Sequence, residues 1–99
     1  MSAIRIFAKD SQEYKMLEKT AEMLTEKSPN GYVYKVEETY FDYGQGWKWT
    51  TVIAHTPDGD SYQALSPREQ GLIVEEGICD LETTVKLIFE SKYCPDRKR

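Results

Sequence analysis

The chain has 99 residues, about the size of one domain, which leaves no room for a second. Hydrophobic residues make up 39% of it and charged residues 30%, a composition typical of a folded globular protein and not of a disordered one. Acidic residues outnumber basic ones by 17 to 13, and the net charge of -4 opposes unaided binding to nucleic acid or to an anionic membrane. We therefore expect residues 1–99 to form a single domain with neither as its partner.

Apolar stretches and cysteine spacing indicate the cellular compartment and whether a metal or cofactor is bound. No stretch of the sequence has the length and apolarity of a signal-peptide core or of a membrane span, which predicts a cytoplasmic protein. Cys79 and Cys94 lack the spacing of metal ligands, so both thiols are expected to be reduced. We predict no metal and no cofactor.

The first part of the chain alternates between a strand pattern and a helix pattern. Residues 3–8 alternate around β-forming side chains and predict a first strand. Asp10 and Glu13 have the spacing of a capping box, and apolar residues then recur at helical spacing, which predicts a helix over about 11–26. The Ser-Pro-Asn-Gly sequence at 28–31 ends this helix.

Three further strands are predicted from a change to a period of two. Residues 32–38 alternate, the glycines of 44–46 turn the chain back, and 47–55 alternate again. The Thr-Pro-Asp-Gly sequence at 56–59 is a strong turn signal, because proline presets φ and glycine accepts a positive one. Residues 60–65 then complete an antiparallel meander as a short edge strand.

Two helices are predicted after the meander. Ser66, Pro67 and Glu69 provide a cap, a first helical residue and a capping box for a helix over 67–76. Asp80 can cap a final helix with one apolar face formed by Leu81, Val85, Ile88 and Phe89. The order β-α-β-β-β-α-α predicts an α+β fold, an antiparallel meander sheet with helices mainly on one face. Residues 95–99 are expected to be a frayed basic tail.

The aromatic hairpin is the first candidate binding surface. Trp47 and Trp49 are two residues apart, so the alternation places both on one face of a strand. That face is either the core beneath the helices or, if Val52 and Ala54 face the helices, an outer face covered by solvent or a partner. Both alternatives remain open at this point. Exposed tryptophans flanked by tyrosines would be a natural anchor for a protein partner. The predicted binding residues are Tyr40, Tyr43, Trp47, Trp49 and His55.

His55 is the only histidine and the one candidate for acid–base chemistry. Its ring could act as a base if a carboxylate oriented it, although its position at a turn favours a polar surface residue. No serine or cysteine stands in a recognised nucleophile motif, and no second histidine supports a relay. We therefore predict no catalytic residue and a protein that is not an enzyme.

A small protein-binding module is the function that these patterns favour. Self-association through the aromatic hairpin is one form of it, since an unpaired strand edge would suit a homodimer. Lys9, Lys35 and Lys48 could instead blunt strand edges, which leaves monomer and homodimer equally open. The alternative is a weak binder of single-stranded nucleic acid that stacks bases on the hairpin tryptophans, with Lys35, Lys48 and the basic tail contributing positive charge.

Overall fold

A computed structural model describes residues 3–41, 46–75, 81–91, 94 and 96. Its elements are, in chain order, α1 (Gln12–Lys27), β1 (Val33–Tyr40), β2 (Lys48–His55), β3 (Ser61–Gln63), α2 (Pro67–Val74) and α3 (Leu81–Glu90). The strands form an antiparallel sheet in the order β1-β2-β3. The predicted α+β class and the meander are confirmed. None of the helices in the described part of the chain is long and apolar enough to cross a membrane.

The helices pack on one face of the sheet, as predicted. This face carries Tyr34 of β1 directly opposite Ala54 of β2, with Val52 two residues further along β2. The helical side of the same buried core is formed by Leu17, Ala21 and Leu24 of α1, Ile73 of α2, and Val85 and Ile88 of α3. Because strand side chains alternate, Trp49 and Ile53 of β2 point to the opposite face, which we call the outer face.

Helix α1 crosses the sheet from the middle of β2 to the outer edge of β1. Near its start, Glu13 lies 3.4 Å from Arg5, whose carbonyl accepts a hydrogen bond from the Thr50 N–H of β2. Near its end, Thr25 Oγ1 accepts a hydrogen bond from the Tyr34 N–H of β1 at 2.8 Å. The helix therefore covers the edge of β1 at Tyr34.

The segment before α1 does not form the predicted first strand. The Arg5 carbonyl accepts from the Thr50 N–H at 3.0 Å, as in a ladder, but the neighbouring bonds involve side chains. The Phe7 N–H donates to Thr50 Oγ1 at 2.9 Å. The Gln70 amide donates to the Ala3 carbonyl at 2.9 Å and to the Thr50 carbonyl at 2.7 Å. The prediction was wrong because this buried amide takes the place of a ladder at the edge of β2.

The helix starts agree with the capping rules, with a shift of one residue in α1. Ser11, and not the predicted Asp10, is the N-cap: its Oγ accepts from the Tyr14 N–H at 3.1 Å. The predicted capping box at the start of α2 is confirmed, since the side chains of Ser66 and Glu69 each bond the other's backbone N–H. Both caps satisfy N–H groups that the first helical turn leaves without a partner.

The second hairpin has the predicted turn but a shorter third strand. The Gly59 N–H donates to the Thr56 carbonyl at 3.1 Å, and Gly59 has a φ of 91°, which a residue with a Cβ rarely adopts. The strand is limited to Ser61–Gln63 and does not extend over 60–65. The chain leaves the sheet early because Ser66 must already cap α2.

A buried carboxylate ties the carboxyl-terminal segment to the turn after α1. Asp96 accepts hydrogen bonds from Ser28 Oγ, from Asn30 Nδ2 at 2.7 Å and from the Tyr34 hydroxyl at 2.8 Å. Its side chain has no exposed surface. The predicted frayed tail over 95–99 is therefore wrong at Asp96, because three polar groups compensate the cost of burying the charge; the rest of that tail lies outside the described residues.

We expect the substitution Asp96→Ala to destabilise the fold by about 2–4 kcal/mol, because it leaves buried donors without their acceptor. The free energy of unfolding in urea is the appropriate measurement. Glu22→Ala is the matched control, since it removes the same charge from an exposed position of α1 and is expected to change stability by about 0.5 kcal/mol or less. Equal stability of the two variants would contradict the role given to Asp96.

The buried Tyr34 hydroxyl gives a second prediction, on pH. Burial, followed by the hydrogen bond to Asp96, raises the pKa of Tyr34 above its ordinary value of 10.0. Above pH 10 the unfolded chain loses this proton while the folded protein keeps it, so stability falls by up to about 1.4 kcal/mol per pH unit. Burial raises the pKa of Cys94 as well, from an ordinary value of 9.0, which acts in the same direction.

Urea unfolding between pH 9 and 11 tests this linkage with the variant Tyr34→Phe. The variant is expected to lose stability less steeply with rising pH than the wild type does, whatever its stability at neutral pH. Parallel pH profiles for the two proteins would show that the hydroxyl ionises equally in both states.

Candidate functional site

The end of the β1–β2 hairpin presents two exposed aromatic side chains on a fixed backbone. The Phe41 N–H donates to the Trp47 carbonyl at 2.8 Å, and the Gly46 N–H donates to the Phe41 carbonyl at 3.2 Å. Above this backbone, the Trp47 side chain is 74% exposed and that of Tyr40 49% exposed. The Lys48 ammonium lies 5.7 Å from the centroid of the Tyr40 ring. We call Tyr40, Trp47 and Lys48 the hairpin-end surface.

The two tryptophans, which the sequence places together, have opposite environments. Trp49 belongs to the outer face but is fully buried, with the ring of Phe41 against it edge to face at 5.4 Å. From β3, Gln63 donates to the Tyr40 carbonyl at 3.2 Å, which requires the end of the hairpin to curl across the outer face of β2. The second alternative is therefore right for the face, since Val52 and Ala54 lie in the core with the helices, and for the exposure of Trp47. It is wrong for Trp49, which is buried on the outer face with Phe41 against it.

The outer face is buried at β2 despite its polar residues. Thr51 has no exposed surface, and neither its hydroxyl nor the Trp49 indole N–H has a hydrogen-bond partner in the structure as described. Burying such groups unpaired costs free energy, which the apolar contacts of the Trp49 ring must offset. Trp49 therefore stabilises the hairpin, and its polar neighbours do not indicate an exposed face.

His55 is paired with a carboxylate on the outer face. Its Nε2 lies 2.5 Å from Glu37 Oε2, and the two side chains are 36% and 40% exposed. This carboxylate orients the imidazole as a general base would require. The pair is nevertheless separated from the hairpin-end surface, since β2 begins at Lys48 and ends at His55.

The five predicted binding residues thus divide into four groups. Tyr40 and Trp47 are both exposed at the hairpin end, Trp49 is buried in the outer face, and His55 lies at the other end of β2. Tyr43 lies outside the described residues. The sequence analysis missed the grouping of Lys48 with Tyr40, which the hairpin register would have indicated, because the two residues are directly opposite each other.

A separate groove lies between the segment before α1 and helix α2. It has a volume of about 560 Å³ and is lined by Ala3, Ile4, Pro67, Arg68, Gly71, Leu72 and Glu75. A Cβ added at Gly71 would lie at ordinary contact distance, 3.9 Å, from the Ala3 Cβ, and closer, at 3.1 Å, to Glu75 Oε1. Within the described ranges, no three or more histidine, cysteine, aspartate or glutamate side chains come together to hold a metal ion.

Comparison with known proteins identifies no relative of this chain: no protein-family model matches it, and neither do the curated proteins nor the solved structures that were searched. A functional assignment must therefore come from the chain's own residues. Of the features above, the hairpin-end surface is the one that places large apolar area in solvent on a backbone fixed by hydrogen bonds.

Tryptophan fluorescence distinguishes the two environments. We expect the variant Trp47→Phe to have a blue-shifted emission maximum and little quenching by iodide, because its remaining indole is buried. The variant Trp49→Phe should keep the red-shifted, quenchable emission of Trp47 as long as it is folded, which circular dichroism checks. Strong iodide quenching of Trp47→Phe would contradict the burial of Trp49.

Proposed function

We propose that this chain is a non-enzymatic protein-binding module and that the hairpin-end surface is its contact site. The observation that carries the proposal is the 74% exposure of Trp47 on a hairpin whose backbone is held by the Phe41–Trp47 hydrogen bond. Tryptophan is costly to leave in water, and it is among the residues most enriched at the energetic centres of protein interfaces.

The fixed backbone supports a binding role for this tryptophan. A backbone that is already held in position loses little conformational entropy when a partner binds, so more of the burial energy of the tryptophan is retained as affinity. The edge-to-face packing of Phe41 on the buried Trp49 provides the rigid base. Tyr40 and Lys48 add an amphipathic ring and a charge at the same end of the hairpin, and such groups are typical of the polar rim around the apolar centre of an interface.

The proposal gives His55 and Trp49 structural roles. His55 pairs with Glu37 across β1 and β2, away from the hairpin end, and we assign it no substrate. Self-association through Trp49 is not part of the proposal, because that ring has no exposed surface. We place the protein in the cytoplasm as part of the same proposal, supported by the free thiol of Cys94.

The substitution Trp47→Ala tests the proposal. Partners captured from a lysate on the immobilised wild-type chain are identified, and their affinities are measured by titration calorimetry. We expect Trp47→Ala to weaken the binding of a true partner by about 30-fold or more, the loss typical of an interface hot spot. The melting temperature should change little, since the side chain makes few contacts in the free protein.

Tyr62→Ala is the control, because Tyr62 is another exposed aromatic residue, 47% exposed, that lies on β3 and outside the hairpin end. It should leave the affinity unchanged. If Trp47→Ala binds every captured protein as tightly as the wild type does, the hairpin-end surface is not the contact site. If what it loses is a single-stranded nucleic acid, with salt-dependent binding, the alternative function is the correct one.

A further inference from the structure

The outer edge of β1 carries backbone groups that the sheet does not use. In β2, the Thr50 N–H donates to Arg5 and the Val52 carbonyl accepts from Ala64, so the even-numbered residues of β2 point away from β1. In β1, the Tyr34 N–H donates to Thr25 of α1 and not to β2. The ladder between the strands therefore uses odd-numbered residues of β1, and the backbone groups of Val36 and Glu38 point outward.

Helix α1 blocks this edge only at its beginning. Thr25 Oγ1 occupies the Tyr34 N–H, and at the far end Gln63 bonds the Tyr40 carbonyl. Between them, no side chain or backbone group among the described residues bonds the outward N–H and C=O of Val36 and Glu38. Donors and acceptors that alternate at this spacing match those of an extended chain.

The charged residues along this edge indicate which charge the incoming segment should carry. Glu38 is exposed and lies on the same face as Tyr40 and Lys48, but Lys48 belongs to β2 and not to the outer edge of β1. Glu37 is already paired with His55 on the outer face, where Lys35 also lies. Glu38 is thus the carboxylate that an added strand would meet, with an apolar neighbour two residues away on either side at Val36 and Tyr40.

A second copy of β1 fits this edge poorly. Two-fold pairing centred on Val36 requires the Tyr34 groups that Thr25 occupies. Pairing centred on Glu37 or on Glu38 places that glutamate directly opposite its own copy, and like charges opposite each other destabilise a sheet. Pairing centred on Thr39 requires the Tyr40 carbonyl, which Gln63 already bonds. The edge therefore suits a chain of different sequence.

We propose that Val36 and Glu38 of β1 bind an extended basic segment of a partner protein by strand addition. The partner places a lysine or arginine opposite Glu38 and apolar side chains opposite Val36 and Tyr40. The inference rests on the proposed function, since it specifies the conformation and the charge of the protein segment that the module binds. Tyr40 belongs to both surfaces, so a segment paired with β1 leads directly to the hairpin end.

A synthetic peptide tests the inference without a known partner. The probe is Ac-Thr-Val-Thr-Lys-Thr-Tyr-Thr-NH₂, titrated into the isotope-labelled chain while its amide resonances are followed by NMR. We expect the Val36 and Glu38 amides to shift most and to gain protection from hydrogen exchange. A peptide with glutamate in place of lysine is expected to bind about tenfold more weakly, because an opposite-charge pair becomes a like-charge pair. N-methylation of the lysine should abolish the protection, since it removes a donor to β1.

Variants of the chain separate this inference from the proposed function. Glu38→Lys should reverse the preference between the basic and acidic peptides, whereas Glu22→Lys, the same change on an exposed face of α1, should not. Equal binding of the methylated peptide, or shifts confined to residues outside β1, would overturn strand addition. Peptide binding at Val36 and Glu38, together with captured partners that bind Trp47→Ala as tightly as the wild type, would support strand addition and contradict the role of Trp47. If the peptide does not bind at Val36 and Glu38 but captured partners bind Trp47→Ala more weakly, strand addition is wrong and the proposed function still stands.

Discussion

The burial of β2 on both faces is the constraint on which the rest of the fold depends. All residues from Trp49 to Ala54 are buried, although only one face of the strand meets the helices. Water must therefore be excluded from the outer face by the sheet itself, and the curled end of the hairpin does so with Phe41 over Trp49. The same curl carries Trp47 past the end of the sheet and into solvent, so the exposed aromatic surface is a consequence of how the central strand is covered.

The buried backbone groups at both edges of β2 also need hydrogen-bond partners. β1 pairs with the whole length of one edge, but β3 pairs only with the last residues of the other. At Thr50 the remaining edge is completed by the Arg5 carbonyl and by the Gln70 amide. One buried side chain thus does what a fourth strand would do, and its position on α2 joins the helix, the strand and the segment before α1 into a single unit.

The parts of the fold that local chemistry determines could be predicted from the sequence, and the parts that depend on distant residues could not. The Ser66 capping box and the Gly59 turn each involve residues within four positions of one another. The loss of the first strand depends on Gln70, which is 67 positions from Ala3. A period of two cannot show that such an amide will replace a ladder.

The candidate site likewise has parts that local patterns predict and parts that depend on distant residues. Alternation correctly gives the side chains of Trp47 and Trp49 the same direction. The exposure of Trp47, however, depends on where the strand starts, and β2 begins only at Lys48, so Trp47 lies beyond its end. The pairing of His55 with Glu37 requires the register of β1 against β2, which a turn of undetermined geometry leaves open.

The Asp96 cluster has a consequence for the order in which the protein acquires its structure during synthesis. The donors Ser28, Asn30 and Tyr34 precede their acceptor by 68, 66 and 62 positions. At ribosomal rates of about 5–20 residues per second, the turn after α1 waits on the order of 3–14 s for its carboxylate. During that interval water must solvate these groups, so the nascent α1–β1 unit remains open where the finished protein is closed. The last described residue of the chain therefore completes a site that begins in its first third.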